Sequence, residues 1–209
     1  MKICEIFHSI QGEGITMGIP TTFIRTSGCN LDCAWCDTAY ARDEGKEMNL
    51  QHILQELEKI GCWQVCLTGG EPMHQKEILK LIDMLLGKGY LITLETNGSK
   101  NLEKLPCSEA LMISMDIKCP SSGQSEKMDF PNIELLGPTD QLKFVISDIK
   151  DYHYARKILI DYTPVCSVVL TPVWGFDIGE IIKWVLEDKL EVRVLPQLHK
   201  LVWGNERGH

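Results

Sequence analysis

Cys29, Cys33 and Cys36 stand in one short run, Cys29-Asn30-Leu31-Asp32-Cys33-Ala34-Trp35-Cys36. With 9 cysteines among 209 residues, three at a fixed spacing would arise by chance about 0.016 times in such a chain, so the run is not an accident of composition. Three thiolates this close can face one point only if the backbone curls into a loop, and Gly28 and Asp37 bracket the run. A four-iron cubane held by three thiolates keeps one iron free of protein, and that iron can bind a small-molecule chelate. A cluster that only carries electrons usually has all four cysteine ligands. Zinc is the competing occupant, because Cys62, Cys66, Cys119 or a histidine could complete a closed site of four. One triad rather than two paired knuckles favours the cluster. The six scattered cysteines, Cys4, Cys62, Cys66, Cys107, Cys119 and Cys166, read as small buried apolar residues.

The elements that must carry such a loop are marked by hydrophobic period. Strands are expected at Thr22–Thr26, Gln64–Thr68, Leu91–Glu95, Leu111–Met115, Leu142–Ile146, Cys166–Leu170 and Glu191–Leu195. Most are nearly all apolar, as suits a parallel sheet covered on both faces. Helical spacing is clearest at Leu50, Ile53, Leu54, Leu57 and Ile60 behind an N-cap at Asn49, and a second helix is expected from Gln75 to Leu86, ending at Gly87. Two more follow Asp148 and Asp177, the latter with Glu180 in capping-box position and an apolar face of Ile178, Ile181, Ile182 and Val185. The stretch from Asp116 to Gln141 has no helical period, and the residues between Glu95 and Leu111 leave little room for a helix. The expected fold is therefore α/β: an incomplete TIM-type barrel of about six parallel strands with reduced helices. Lys2–Ile10 adds an N-terminal strand or hairpin, and residues 1–209 form one domain.

Cys-x3-Cys-x2-Cys with an aromatic, Trp35, before the last cysteine resembles the cluster loop of the radical S-adenosylmethionine superfamily. In that superfamily the methionine amino and carboxyl groups of the cofactor chelate the fourth iron. Thr68-Gly69-Gly70-Glu71-Pro72 is similar to its glycine-rich turn, whose backbone meets the methionine amino group. Read alone, the same residues make an ordinary strand-to-helix turn with Glu71 favourable to the macrodipole. A narrower match covers nearly the whole chain: Gln11-Gly12-Glu13-Gly14, Arg25, Cys36-Asp37-Thr38, Glu95-Thr96-Asn97-Gly98 and Gln197-Leu198-His199-Lys200 resemble the 7-carboxy-7-deazaguanine synthase family.

That resemblance implies a carbon–nitrogen lyase of queuosine and 7-deazapurine biosynthesis. It contracts the ring of 6-carboxy-5,6,7,8-tetrahydropterin with loss of ammonia and uses a [4Fe-4S] cluster, regenerated S-adenosylmethionine and Mg2+. It implies Cys29, Cys33 and Cys36 as cluster ligands and Thr38 as a magnesium ligand. Substrate contacts would come from Ile10, Gln11, Gly12, Glu13, Arg25, Thr68 and His199. Cofactor contacts would come from Trp35, Asp37, Gly69, Gly70, Glu71, Asn97, Ser114, Met115, Asp116 and the turn Thr171-Pro172-Val173-Trp174. With the radical carried by the cofactor, no acid–base residue is assigned. Many members carry Ser-Pro-Lys where this chain has Ser114-Met115-Asp116-Ile117-Lys118-Cys119-Pro120, which puts individual side chains of that segment in doubt.

The chemistry also makes sense residue by residue. A pterin offers an amidine-like edge that a carboxylate such as Glu13 can take with two hydrogen bonds, and Gln11 can both donate and accept beside it. Arg25 can clamp a carboxylate with its planar fork. Magnesium keeps several waters and needs few protein oxygens, which suits Thr38. The plainer alternatives are a hairpin turn at Gln11 to Gly14, an acid partner for Arg25 and a loop cap at Thr38; Lys143 can reach the cleft, with a snorkelling lysine at a strand edge as the commoner arrangement.

Acidic residues outnumber basic ones 29 to 21, a formal charge of -8, so no overall positive field gathers nucleic acid and none is expected as a direct partner. With 44% hydrophobic and 24% charged residues the composition is globular rather than disordered or fibrous. The odd cysteine count and the opening Met1-Lys2-Ile3-Cys4-Glu5, which has no secretory pattern, predict reduced thiols, a cytoplasmic location and no membrane span. The family resemblance implies a homodimer and an electron donor such as flavodoxin. Two rivals remain: a glycyl-radical-type activase, which does not call for Gln11–Gly14 or Gln197–Lys200, and a non-catalytic iron–sulfur or zinc module.

Overall fold

The structure, a computed structural model, describes residues 1–209. Its strands are β1 (Lys2–Ile10), β2 (Pro20–Thr26), β3 (Lys46–Glu47), β4 (Gln64–Gly69), β5 (Leu91–Thr96), β6 (Leu111–Ile117), β7 (Gln141–Ile146), β8 (Ser167–Pro172) and β9 (Arg193–Val194). Its helices are α1 (Leu50–Ile60), α2 (Ile78–Gly87), α3 (Ile149–Tyr162), α4 (Ile178–Asp188) and α5 (Leu198–Trp203). All strands join one sheet in the order β3-β1-β2-β4-β5-β6-β7-β8-β9. From β2 to β9 every ladder is parallel, whereas β1 runs antiparallel to β2 and carries β3 on its outer edge.

The order of the parallel strands follows the chain, so successive crossovers wind the same way and right-handed connections put the helices on one face. Ile53, Leu57, Leu81 and Leu85 of α1 and α2 are fully buried against Ile24, Val65, Leu67 and Leu94. Each such side chain contributes roughly 1.5–3 kcal/mol by leaving water. A second cluster joins α3 and α4 to β6, β7 and β8 through Tyr152, Ile158, Ile181, Met115, Phe144 and Leu170. The sheet is open, with β3 and β9 as its ends, which makes the expected incomplete barrel.

The strands are not covered alike on both faces, contrary to the all-apolar reading. Leu94, Met115, Leu142 and Phe144 face the helices. The alternate residues Arg25, Thr68, Glu95, Asp116 and Lys143 line a cavity on the concave face. One polar residue near the carboxyl end of each strand is enough to turn that face into a charged floor.

Caps explain most helix boundaries. Asn49 Oδ1 accepts from His52 N–H at 2.8 Å and Gly61, at φ 74°, closes α1. α2 starts three residues later than expected because Pro72–His74 forms a 3₁₀ turn capped by Glu71, and the left-handed residue beyond it is Gly89 rather than Gly87. Asp177 caps α4 through Gly179 N–H at 2.8 Å, without the expected Glu180 box. Between β6 and β7 the chain makes three 3₁₀ helices, Pro120–Ser122, Ser125–Lys127 and Phe130–Leu135, in place of a crossover helix. β3 and α5 carried no signal in the hydrophobic period, and β9 is shorter than expected. No helix is long and apolar enough to cross a membrane.

Candidate active site

The concave face holds a cavity of about 440 Å³ at the carboxyl ends of the strands. Its floor is a charge cluster on Lys143 of β7, only 4% exposed. The Lys143 ammonium lies 2.6 Å from Glu13 Oε2, 3.4 Å from Glu95 Oε2 and 3.2 Å from Asp116 Oδ1. Burial alone would lower the Lys143 pKa, but the three carboxylates outweigh it and hold the group well above the usual lysine value. Burial pushes Glu13 up, and Lys143 with His199 more than offsets that, so its carboxyl is lowered and stays ionised. Glu95 goes the other way: burial, with Asp116 and Glu13 nearby, raises it. Lys143 is thus the centre of the site, and the snorkelling expectation is overturned.

The loop after β1 supplies one wall. Glu13 Oε1 accepts from Gln197 Nε2 at 2.8 Å, Leu198 N–H donates to Gly12 O at 2.9 Å, and the two segments are pressed together. A Cβ on Gly12 would stand 2.2 Å from His199 Nδ1, so only glycine fits there. Gln11 is buried, with Oε1 accepting from Glu13 N–H at 3.3 Å and Nε2 pointing at Cys66 Sγ at 3.7 Å. Arg25 does have an acid partner: Glu5, directly opposite on β1, takes its Nε at 2.7 Å. The same Glu5 oxygen accepts from Tyr40 Oη at 2.9 Å. Arg207, near the carboxyl end, lays its guanidinium 3.5 Å from the Tyr40 ring centroid and pairs with both oxygens of Glu44.

The opposite wall is the cysteine loop. Cys29, Cys33 and Cys36 are free thiols on one irregular segment and all line the cavity. Burial pushes the Cys29 and Cys33 thiols up, so thiolates there call for a bound cation. Three thiols on one loop lining the cavity match the three protein ligands of a cubane whose fourth iron is open, so the donor set fits a cluster. The glycine turn after β4 packs against the start of this loop: Glu71 N–H donates to Gly28 O at 2.9 Å, and a Cβ on Gly70 would stand 2.1 Å from that oxygen.

The expected site residues divide into two groups. Ile10, Gln11, Gly12, Glu13, Arg25, Thr68, Trp35, Asp37, Thr38, Gly69, Gly70, Asn97, Asp116, Val173, Trp174 and His199 line the cavity with the three cysteines. Asp37 sits by His199 and Lys200; burial would raise it, but the hydrogen bond from His199 and the Lys200 ammonium lower it to about 2. Asn97 Nδ2 reaches Cys29 Sγ at 3.8 Å and Asn30 Oδ1 at 3.2 Å. Glu71, Ser114, Met115, Thr171 and Pro172 do not line it. Glu71 is a buried staple, accepting from Met73 N–H, Thr96 Oγ1 and Asn97 N–H at 2.9, 2.8 and 2.7 Å. Ser114 is covered by Glu95 and Gln141, Met115 belongs to the helix-side core, and Thr171 is fully buried. Pro172 lines a small neighbouring pocket. Sequence reasoning gave no role to Glu5, Tyr40 or Lys118, whose ammonium holds Asp116 Oδ2 at 2.6 Å. Their signal lay in strand alternation and in the charged residue two places after Asp116.

An open parallel barrel with a three-cysteine loop after its first parallel strand defines the radical S-adenosylmethionine class, and the family model described as the Radical SAM superfamily matches residues 23–120. A 7-carboxy-7-deazaguanine synthase from Methanospirillum hungatei JF-1 is 40% identical over 97% of this chain and 85% of its own length. One from Thermoplasma acidophilum is 38% identical over 100% of both chains. The crystal structure of QueE from Escherichia coli shares the fold, with a TM-score of 0.78 and 23% identity over 95% of this chain and 94% of its own. The chain belongs to the 7-carboxy-7-deazaguanine synthase family.

Proposed function

We propose that the chain converts 6-carboxy-5,6,7,8-tetrahydropterin to 7-carboxy-7-deazaguanine, acting as one radical S-adenosylmethionine domain. The observation that carries this reading is Glu13, a carboxylate kept ionised inside the cavity by Lys143 and facing the cysteine loop. A carboxylate has about four lone-pair positions, so Glu13 can keep Lys143 and Gln197 and still accept two N–H groups from a pterin edge. Arg25 gives its Nε to Glu5 and keeps the rest of its fork for the substrate carboxylate. Gln11 and His199 close the ring from the two sides of Gly12, and the half-enclosed cavity limits water around the reacting ring.

When bound, the [4Fe-4S] cluster and S-adenosylmethionine supply the one-electron chemistry that removes a hydrogen atom from the substrate. Cys29, Cys33 and Cys36 hold the cluster, the Gly69-Gly70 backbone and Asn97 border the cofactor, and Thr38 offers an oxygen to Mg2+ beside substrate and water oxygens. The enzyme works in the cytoplasm as a homodimer with a one-electron donor such as flavodoxin. Anaerobically reconstituted, reduced protein given S-adenosylmethionine, magnesium and the pterin should yield 7-carboxy-7-deazaguanine by mass spectrometry, and Cys33→Ala should abolish it. 5′-Deoxyadenosine without that product would overturn the substrate and leave the radical class standing.

A further inference from the structure

Asp151 is fully buried in the first turn of α3 and takes no part in the chemistry above. Its carboxylate accepts four hydrogen bonds from two serines. Oδ1 takes Ser121 N–H at 3.0 Å, and Oδ2 takes Ser121 Oγ, Ser147 N–H at 3.0 Å and Ser147 Oγ at 2.9 Å. A carboxylate can only accept, so Ser121 must donate its single hydroxyl proton to it and turn its lone pairs outward. There Trp35 Nε1–H, which can only donate, meets Ser121 Oγ at 3.0 Å. Ala34 N–H donates to Ser122 O at 3.1 Å, so backbone and side chain of the cysteine loop both dock on the Pro120–Ser122 turn.

The cysteine loop has no regular hydrogen-bond ladder of its own, and these two bonds fall between Cys33 and Cys36. The indole they hold lines the cavity and has Lys118 Nζ 5.7 Å from its ring centroid. Given that the cavity takes S-adenosylmethionine as proposed above, we infer that Asp151 and Ser121 are positioning residues for cofactor binding: the carboxylate orients the hydroxyl, and the hydroxyl fixes Trp35 as a wall of the site. The buried charge is tolerated because its lone pairs are used and it lies in the positive first turn of a helix.

The test compares wild type, Ser121→Ala and Ser121→Thr, each reconstituted with iron and sulfide. The readouts are iron content, Tm, the S-adenosylmethionine Kd from equilibrium dialysis, and the change S-adenosylmethionine makes in the electron paramagnetic spectrum of the reduced cluster. Ser121→Ala leaves Asp151 three of its donors, so Tm should move by less than about 2 °C with iron unchanged. Its Kd should rise about five- to tenfold with an altered spectrum, and Ser121→Thr should restore both. Wild-type affinity in Ser121→Ala, or a loss only in proportion to lost iron, overturns the inference. Asp151→Asn sets an amide N–H against the serine donors and should lower both Tm and affinity; lowered Tm with unchanged affinity would equally overturn it. A wild-type spectrum indifferent to S-adenosylmethionine would instead sink the cofactor reading itself.

Discussion

At the residue scale the site turns on one ammonium shared by three acids. Lys143→Met would leave Glu13, Glu95 and Asp116 buried without their common counter-ion, a loss of about 3–5 kcal/mol near neutral pH. The pH dependence follows from the direction of each shift. In the wild type Glu13 is lowered, so its contribution to stability is complete above the ordinary carboxylate value and is lost only as pH falls through its lower folded one. Without Lys143 burial pushes Glu13 and Glu95 up, while Asp116 keeps Lys118 at 2.6 Å, and a raised acid contributes stability below its unfolded value that is lost as pH rises through the folded one. Thermal melts should therefore show Lys143→Met losing stability more steeply than wild type as pH rises above the ordinary carboxylate value, a direction in which only Glu95 and Glu71 run among the wild-type carboxyls. A variant parallel to wild type would remove Lys143 from the centre of the cluster. Glu13→Gln is gentler, since Lys143 can still meet the amide oxygen while Gln197 turns its own amide oxygen toward the new N–H. It should raise the substrate KM by about 10- to 100-fold while leaving iron content unchanged, and equal loss of both would deny it a substrate role.

At the scale of elements the glycine turn after β4 is the most constrained junction. Gly70→Ala would drive a methyl into Gly28 O at the root of the cysteine loop, where backbone cannot yield cheaply. A loss of about 1–3 kcal/mol in denaturant melts and poor iron incorporation are expected, and normal incorporation with an unshifted melt would show the turn to be slack. This loop and turn were legible in the sequence because their signals are local: a cysteine spacing and a pair of glycines. The strands other than β3, and α1, α3 and α4, were also legible from periodicity and caps. The concave floor was not, because Leu142-Lys143-Phe144-Val145-Ile146 reads as an apolar run with one lysine in it. What gives that lysine a role is Glu13 and Glu95, 130 and 48 residues away in the chain. The anchoring of Glu71 was hidden for the same reason, since its partners Thr96 and Asn97 lie at and just beyond the end of the next strand. The Pro120–Leu135 segment escaped helix prediction because short 3₁₀ turns such as those begun at Pro120 and Phe130 impose no 3.6-residue period.

At the scale of the whole molecule the carboxyl-terminal segment is tied to the rest by a surface contact: Arg207 stacks on Tyr40 and pairs with Glu44, both carboxylate and guanidinium about half exposed. Such a pair adds little to stability, so Arg207→Ala should leave Tm within about 1 °C. Residues Gly204 to His209 border the cavity, however, so the substrate KM should rise and limited proteolysis should cut the segment faster. Unchanged KM and cleavage rate would show the contact to be decorative.

The contact between Gln197 and Glu13 joins residues 184 positions apart, whereas the cysteine loop and its glycine turn lie between Gly28 and Pro72. Closing so large a loop costs more entropy than the local contacts of the cysteine loop, and a growing polypeptide makes it late. The cysteine loop, which docks on Ser121 and Ser122 over Asp151, has all these partners in the chain before Gln197 appears. The pterin side, by contrast, is complete only when α5 docks against Gly12.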